Sequence, residues 1–83
     1  MAGIIHFIIG GEDLSQEGEI AGFKAGDRVV YADGCYPRLR GIKATVVGFD
    51  SIRRIWTQPD GQSGCNWTPE ENALTSLKHI VTT

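Results

Sequence analysis

The chain has 83 residues, of which 41% are hydrophobic and 22% are charged, and its formal net charge at pH 7 is −2. A chain of this length buries only about 60–65% of its unfolded surface, which supports one hydrophobic core and excludes two. The composition also excludes an intrinsically disordered chain. We therefore expect a single folded domain over residues 1–83.

The first predicted element is a short strand at residues 4–9. IIHFII is β-branched and aromatic apart from His6, and two glycines close it. This apolar stretch is far shorter than the roughly 18–20 residues that a membrane span needs, so no span is expected. No basic residue precedes Lys24, whereas a signal peptide begins with a basic region. These features predict a cytoplasmic protein with no membrane partner.

Residues 11–22 are predicted to form a mobile acidic connection. This segment, GEDLSQEGEIAG, contains three glycines and four carboxylates and has few apolar residues. Such a composition favours a solvated loop, with at most one helical turn between Asp13 and Gly18. The segment would also repel nucleic acid, or cover a basic surface when no partner is bound.

The next predicted strand lies in FKAGDRVVYADG, where alternating apolar residues follow a Gly-Asp turn and an Asp-Gly turn closes the run. Pro37 and two arginines then predict a loop over residues 34–41. The Thr and Val content of IKATVVGF predicts a strand at 42–49. A turn at Asp50-Ser51 leads into a further strand at 52–58, which completes a hairpin.

The last third of the chain is predicted to contain one helical turn and one strand. Residues 61–66 continue the turn that begins at Pro59. Thr68 before Pro69, followed by two glutamates, has the composition of a helix N-cap, and a helical turn is expected at 69–74. The final residues, LKHIVTT, alternate as a strand that returns to the sheet. The interpretation leaves open whether Trp67 belongs to the core or to the surface.

Five or so short strands with turns every 8–12 residues predict an all-β domain with one short helical turn, folded as a small barrel or sandwich. The segments GDRVVYADG and RGIKATV resemble the KOW-type SH3-like barrels of transcription-elongation and ribosomal proteins, and this resemblance implies that the domain is a small SH3-like barrel. The resemblance covers roughly residues 23–57. It departs from the family pattern in a longer loop between Gly34 and Gly41, and in Ala44 where a second glycine is usual.

The resemblance implies a binding surface on two loops. Cationic side chains there would contact phosphates, and aromatic side chains would stack on bases. The implied site consists of Tyr36, Arg38, Arg40, Lys43, Arg53, Arg54 and Trp56. The charge distribution agrees, because residues 35–54 carry five basic residues and one acidic residue. The alternative is structural, since loop arginines commonly form a solvated surface and a strand tryptophan commonly lies in the core.

A metal centre and an active site are not expected. His6, His79, Cys35 and Cys65 lack the spacing that places two zinc ligands on one turn, so no metal and no cofactor is predicted. The two cysteines are expected to be free thiols, since a disulfide would require an oxidising compartment. Neither cysteine is flanked by a nucleophile turn or a helix N-terminus. Asp27, Asp50 and Asp60 each lie in a turn with Gly, Ser or Pro, which explains these carboxylates without a catalytic role. An enzyme is therefore not predicted.

Two functions remain open from the sequence, both for a non-catalytic binding module or adaptor of bacterial or phage type. The first is nucleic-acid binding through the basic loops at 35–41 and 50–56. The second is protein binding, because exposed aromatics beside arginines are typical of interface hot spots and the strand at 4–9 could offer a free edge. The sequence leaves the oligomeric state open.

Overall fold

The computed structural model describes residues 6–9, 12–32 and 37–80. These residues form nine strands, two 3₁₀ turns and one short helix. The strands are β1 His6–Ile9, β2 Glu12–Ser15, β3 Glu19–Ile20, β4 Phe23–Lys24, β5 Arg28–Tyr31, β6 Lys43–Phe49, β7 Arg54–Pro59, β8 Asn66–Pro69 and β9 Leu77–His79. The 3₁₀ turns are Pro37–Leu39 and Glu70–Asn72, and helix α1 is Ala73–Ser76.

Seven of the strands form one curled antiparallel sheet around β6. Five of them follow the order β9-β5-β6-β7-β8, and the β1–β2 hairpin joins β6 through the pair Ser15 and Phe49. Strands β3 and β4 form a separate hairpin. This arrangement is a half-barrel of the SH3-like kind, and the all-β prediction with one short helical turn is confirmed.

The core fills the concave side of the sheet. Apolar side chains from most strands meet there, including Phe23, Val29, Tyr31, Val46, Ile55 and Leu77. Val29 and Tyr31 belong to β5, whose alternate residues face the core as a half-buried strand requires. A buried hydrogen bond of 2.6 Å joins the hydroxyl groups of Tyr31 and Thr57. The two hydroxyl groups thus satisfy each other among apolar side chains.

Strand β6 bends where the β1–β2 hairpin meets it. The pairing of β6 with β7 shifts between Val46 and Gly48, which marks a bulge. Past the bulge the alternation of the strand is broken, and Gly48 and Phe49 are both buried. A Cβ on Gly48 would lie 2.8 Å from the backbone oxygen of Ser15. Only glycine therefore lets β2 cross β6 this closely.

The acidic connection differs from the prediction. Glu12–Ser15 and Glu19–Ile20 are strands, and the helical turn expected between Asp13 and Gly18 is absent from the described residues. Leu14 and Ile20 are fully or almost fully buried, so two apolar side chains anchor a segment whose composition otherwise indicates a solvated loop. The pattern of single apolar residues between carboxylates is the reason that the sequence analysis missed these strands.

The second half of the chain contains a further strand that was not predicted, β8, which begins at Asn66, the last residue of the predicted turn region, and ends at Pro69. The helical turn was predicted correctly and spans Glu70–Ser76 as a 3₁₀ turn followed by α1. The capping role assigned to Thr68 was wrong. Thr68 lies in β8 and is fully buried, and the turn has no side-chain cap. The return strand β9 pairs with β5 as expected.

Two further sequence expectations concern loops and membranes. The predicted loop at 34–41 contains a 3₁₀ turn at Pro37–Leu39, while residues 34–36 lie outside the described part of the chain. Ile52, expected in a strand, is in the β6–β7 turn and is exposed. Over the described ranges, no helix has the length and apolar character that a transmembrane helix requires.

Candidate functional site

The β6–β7 turn is organised by the carboxylate of Asp50. This side chain is fully shielded from solvent and accepts hydrogen bonds from the backbone N–H groups of Ile52 and Arg54 at 3.1 and 2.8 Å. It also accepts bonds from Arg54 Nε and from the Trp56 indole at 2.5 and 2.8 Å. Burial opposes ionisation of Asp50, but the bonds from Trp56 and Arg54 outweigh it and lower the pKa.

Arg54 lies against the rings of two tryptophans, Trp56 and Trp67, on the outer face of the β7–β8 hairpin. Its guanidinium carbon is 5.5 Å from the Trp56 ring centroid and 4.7 Å from that of Trp67, distances typical of cation–π contacts. The two tryptophans are cross-strand partners, yet Trp56 is 8% exposed and Trp67 is 39% exposed. Trp67 is therefore the aromatic side chain of this group that a partner can reach.

Arg53 is held in an unusual backbone conformation beside this group. Its φ is +63°, a left-handed value that costs a non-glycine residue roughly 1–2 kcal/mol. The guanidinium donates two hydrogen bonds to Glu70 at 2.7 and 2.9 Å, which link the β6–β7 turn to the end of β8. The bonds from Arg53 lower the pKa of the Glu70 carboxyl.

The structure separates the predicted site into two groups at opposite ends of the β6–β7 hairpin. Arg53, Arg54 and Trp56 lie near the β6–β7 turn. Lys43 is at the other end, where Ala44 pairs with Pro59, roughly 20 Å away along about six residues of strand. The predicted cations therefore do not form one continuous patch.

The second group lies in the loop that precedes β6 and at Lys43, the first residue of β6. Arg38 and Lys43 are exposed, and neither has an ion-pair partner among the described residues. Arg40 is exposed and has an interaction partner. Tyr36, the aromatic residue predicted for this loop, lies outside the described residues.

An ion pair reduces the positive potential near Lys43. Arg28 forms a two-pronged salt bridge with Asp60, at 2.9 and 2.6 Å, and also donates to Thr45. The Asp60 backbone N–H donates to the carbonyl of Lys43. The surface around Lys43 is thus of mixed charge.

A groove lies on the β2 side of the β6–β7 turn and has a volume of about 570 Å³. Its walls are the β2–β3 turn and the end of β6 with the turn that follows, and its lining comprises Ser15, Glu17, Gly18, Glu19, Ile20, Phe49, Asp50, Ser51 and Arg53. The volume falls within the range of known ligand sites. The sequence analysis missed this groove because it treated residues 11–22 as a mobile connection.

Cys65 is described by the structure, whereas Cys35 lies outside the described residues. Cys65 is a free thiol that donates to Gln58 Oε1 at 3.2 Å, and burial raises its pKa. It is therefore mostly protonated at neutral pH and is a poor nucleophile. Within the described residues, His, Cys, Asp and Glu form no group of three or more that could bind a metal ion.

Trp67 and Asp50 were not among the predicted site residues. Recognising β8 would have placed Trp67 opposite Trp56, and the sequence Asp-Ser-Ile-Arg is compatible with a turn closed by the aspartate side chain.

Comparison with protein-family models, curated proteins and solved structures gave no match to this chain. The resemblance to KOW-type domains therefore stays a prediction.

Proposed function

We propose that this chain is a non-catalytic binding module whose partner is another protein, contacted through the outer face of the β7–β8 hairpin around Trp67. The observation that carries the proposal is the exposed indole of Trp67, which packs against the guanidinium of Arg54. Trp and Arg are the residue types that most often dominate the binding energy of protein interfaces.

Preorganisation supports the same proposal. Arg54 is fixed by Asp50, which is itself buried and fully hydrogen-bonded to the turn and to Trp56. A side chain that is already ordered loses little conformational entropy when a partner binds. Trp67 pairs with Trp56 across the β7–β8 hairpin, so the exposed ring is carried by a strand rather than by a loop, which further limits its motion.

Charge compensation disfavours nucleic acid at this face. The cations Arg53 and Arg54 are paired with Glu70 and Asp50, so they add little net positive charge with which to attract phosphates. Trp56, proposed as a stacking side chain, is buried and donates its indole N–H to Asp50. Stacking on a base requires an open ring face.

Nucleic-acid binding is a second candidate, confined to the other end of the hairpin. The observation that favours it is the exposure of Arg38 and Lys43, neither of which is ion-paired within the described ranges. Such cations give binding that weakens steeply with salt. The second candidate thus uses residues different from those of the first.

The test uses the full chain as bait in a lysate of the organism that encodes it, with wild type compared to Trp67→Ser and Leu74→Ser. Leu74 is a matched control because it is also an exposed apolar side chain but lies on α1. We expect Trp67→Ser to reduce recovery of bound protein about ten-fold or more, as loss of a hot spot does, whereas Leu74→Ser retains it. Circular dichroism establishes that both variants are folded.

A parallel titration measures fluorescence anisotropy with single- and double-stranded DNA and RNA at about 50 and 200 mM salt. Protein recovery that is unaffected by Trp67→Ser would overturn the first candidate. Nucleic-acid binding that is salt-sensitive, and is lost in the Arg38→Gln/Lys43→Gln double variant but not in Trp67→Ser, would establish the second candidate in its place.

A further inference from the structure

We infer that the groove between the β2–β3 turn and the β6–β7 turn is a docking site for a basic segment of a protein partner, which would place an arginine or lysine side chain between Glu17 and Glu19. The groove has a volume of about 570 Å³, enough for a long side chain and the backbone beside it. Trp67 is not among its lining residues, and its occupancy does not depend on the function proposed above.

The first argument is the net charge of the groove. Among its lining residues, Asp50 is neutralised by Arg54, and Arg53 is neutralised by Glu70. Glu17 and Glu19 are exposed, and neither carboxylate has a hydrogen-bond or ion-pair partner among the described residues. Lys24 lies opposite Glu19 in the β3–β4 hairpin and offsets part of this charge, although it forms no ion pair with Glu19 among the described residues. A net negative charge therefore remains at the rim of a concave site, which favours a cationic occupant.

The second argument is the fixed shape of the groove. Ile20 and Phe49 are buried and anchor its two walls to the core, and Gln16 Nε2 donates to the carbonyl of Val47 at 3.3 Å. The Glu17 backbone N–H donates to Ser15 Oγ at 3.2 Å, which orders the turn that carries the glutamates. The groove is thus formed before the ligand arrives.

The third argument concerns the chemistry of the occupant. The lining combines two carboxylates with the apolar residues Ile20 and Phe49. Arginine and lysine match this combination, because each has an apolar stem and a charged end that remains at the surface. A nucleic acid is disfavoured at this position, since its phosphates would meet the two unpaired carboxylates.

The test is an NMR titration of the ¹⁵N-labelled full chain with tetra-arginine, with tetra-glutamate as the opposite-charge control, at low salt so that screening is weak. We expect tetra-arginine to shift amide signals of residues 17–20 and 49–53. In the Glu17→Gln/Glu19→Gln variant the affinity for tetra-arginine should fall by about five-fold or more, because two exposed ion pairs are lost.

Two control variants make the outcome specific. Glu71→Gln removes one exposed negative charge outside the groove lining and should leave the affinity within about two-fold, as a remote screened charge would. Trp67→Ser should also retain binding, so that failure of the groove and failure of the Trp67 surface are distinguished. Absence of tetra-arginine shifts, equal shifts with tetra-glutamate, or unchanged affinity in the double glutamine variant would each overturn the inference.

Discussion

At the scale of single residues, Thr57 in β7 and Thr68 in β8 differ in whether their buried hydroxyl groups are hydrogen-bonded. Both are fully buried. The Thr57 hydroxyl bonds to the Tyr31 hydroxyl at 2.6 Å and to the Asn66 carbonyl at 3.4 Å. The Thr68 hydroxyl has no hydrogen-bond partner within the described part of the chain. A buried hydroxyl without a partner destabilises the folded state.

Thr68→Val is therefore expected to stabilise the protein by about 1 kcal/mol, because valine has a similar shape and leaves no polar group unpaired. Thr57→Val should have the opposite sign and destabilise by about 1–2 kcal/mol, since it removes the buried hydroxyl that bonds to the Tyr31 hydroxyl and to the Asn66 carbonyl. Urea unfolding of both variants measures the two free energies of unfolding. A destabilised Thr68→Val variant would mean that its hydroxyl is bonded in solution.

The residue scale also shows how far the candidate site could be predicted. The sequence identified Arg53, Arg54 and Trp56 as close together, and they are. It could not show that Arg53 is neutralised, because its partner Glu70 is separated from it by 17 residues in sequence. Ion pairing of this kind depends on the packing of β8 against β7, which local sequence patterns do not reveal.

At the scale of elements, β6 controls the shape of the sheet. It pairs with β5 and β2 along one edge and with β7 along the other. The bulge between Val46 and Gly48 lets the strand bend and leave β5 for β2. The strand itself was predicted from its alternating composition, but the bulge was not, because the letters VVGF are compatible with a regular strand.

Gly48→Ala should destabilise the protein by about 1–3 kcal/mol, the range for overpacking in a close contact. The added Cβ would lie 2.8 Å from the Ser15 backbone oxygen and 3.2 Å from the Leu14 Cβ, and backbone cannot move aside as a flexible side chain would. Gly64→Ala is the matched control, because nothing lies within 4 Å of its added Cβ.

Thermal and urea unfolding of the two glycine variants distinguish the close contact of β2 with β6 at Gly48 from a general effect of replacing glycine. The control should change stability by no more than about 0.5 kcal/mol. Equal stability of Gly48→Ala and wild type would show that β2 does not cross β6 at this distance in solution.

At the scale of the whole molecule, acid sensitivity follows from Asp50. Its pKa is lowered on folding, so the ionised form contributes stability that is complete above the unfolded pKa of about 3.9 and is lost as the pH falls through the folded value. Asp27 has a lowered pKa as well: its burial acts in the opposite direction, but the bonds from the Lys24 backbone and from His79 prevail.

The free energy of unfolding should therefore fall as the pH decreases below about 4. Asp50→Asn should be less stable at pH 7, because a buried hydrogen-bonded ion pair is broken, and its stability should fall less steeply in acid. Urea unfolding between pH 2 and pH 7 measures both effects, with Glu71→Gln as the control variant. If the free energy of unfolding of Asp50→Asn fell with decreasing pH as steeply as that of the wild type, the role of this carboxylate would be contradicted.

The sequence by itself determined the features that depend on local chemistry. The all-β class, the strands β5, β6 and β9 and the helical turn follow from alternation, turn residues and proline position. These patterns operate over fewer than about ten residues, so they can be recognised without knowing which elements meet.

The tertiary structure decided the features that depend on long-range contacts. It converted the acidic connection into strands by burying Leu14 and Ile20, and it placed Lys43 and Arg54 at opposite ends of a hairpin. It also exposed Trp67 while covering its partner Trp56. The physical reason is that burial, and ion pairs such as Arg53 with Glu70 and Arg28 with Asp60, are set by neighbours distant in sequence, and only the folded chain specifies which residues those neighbours are.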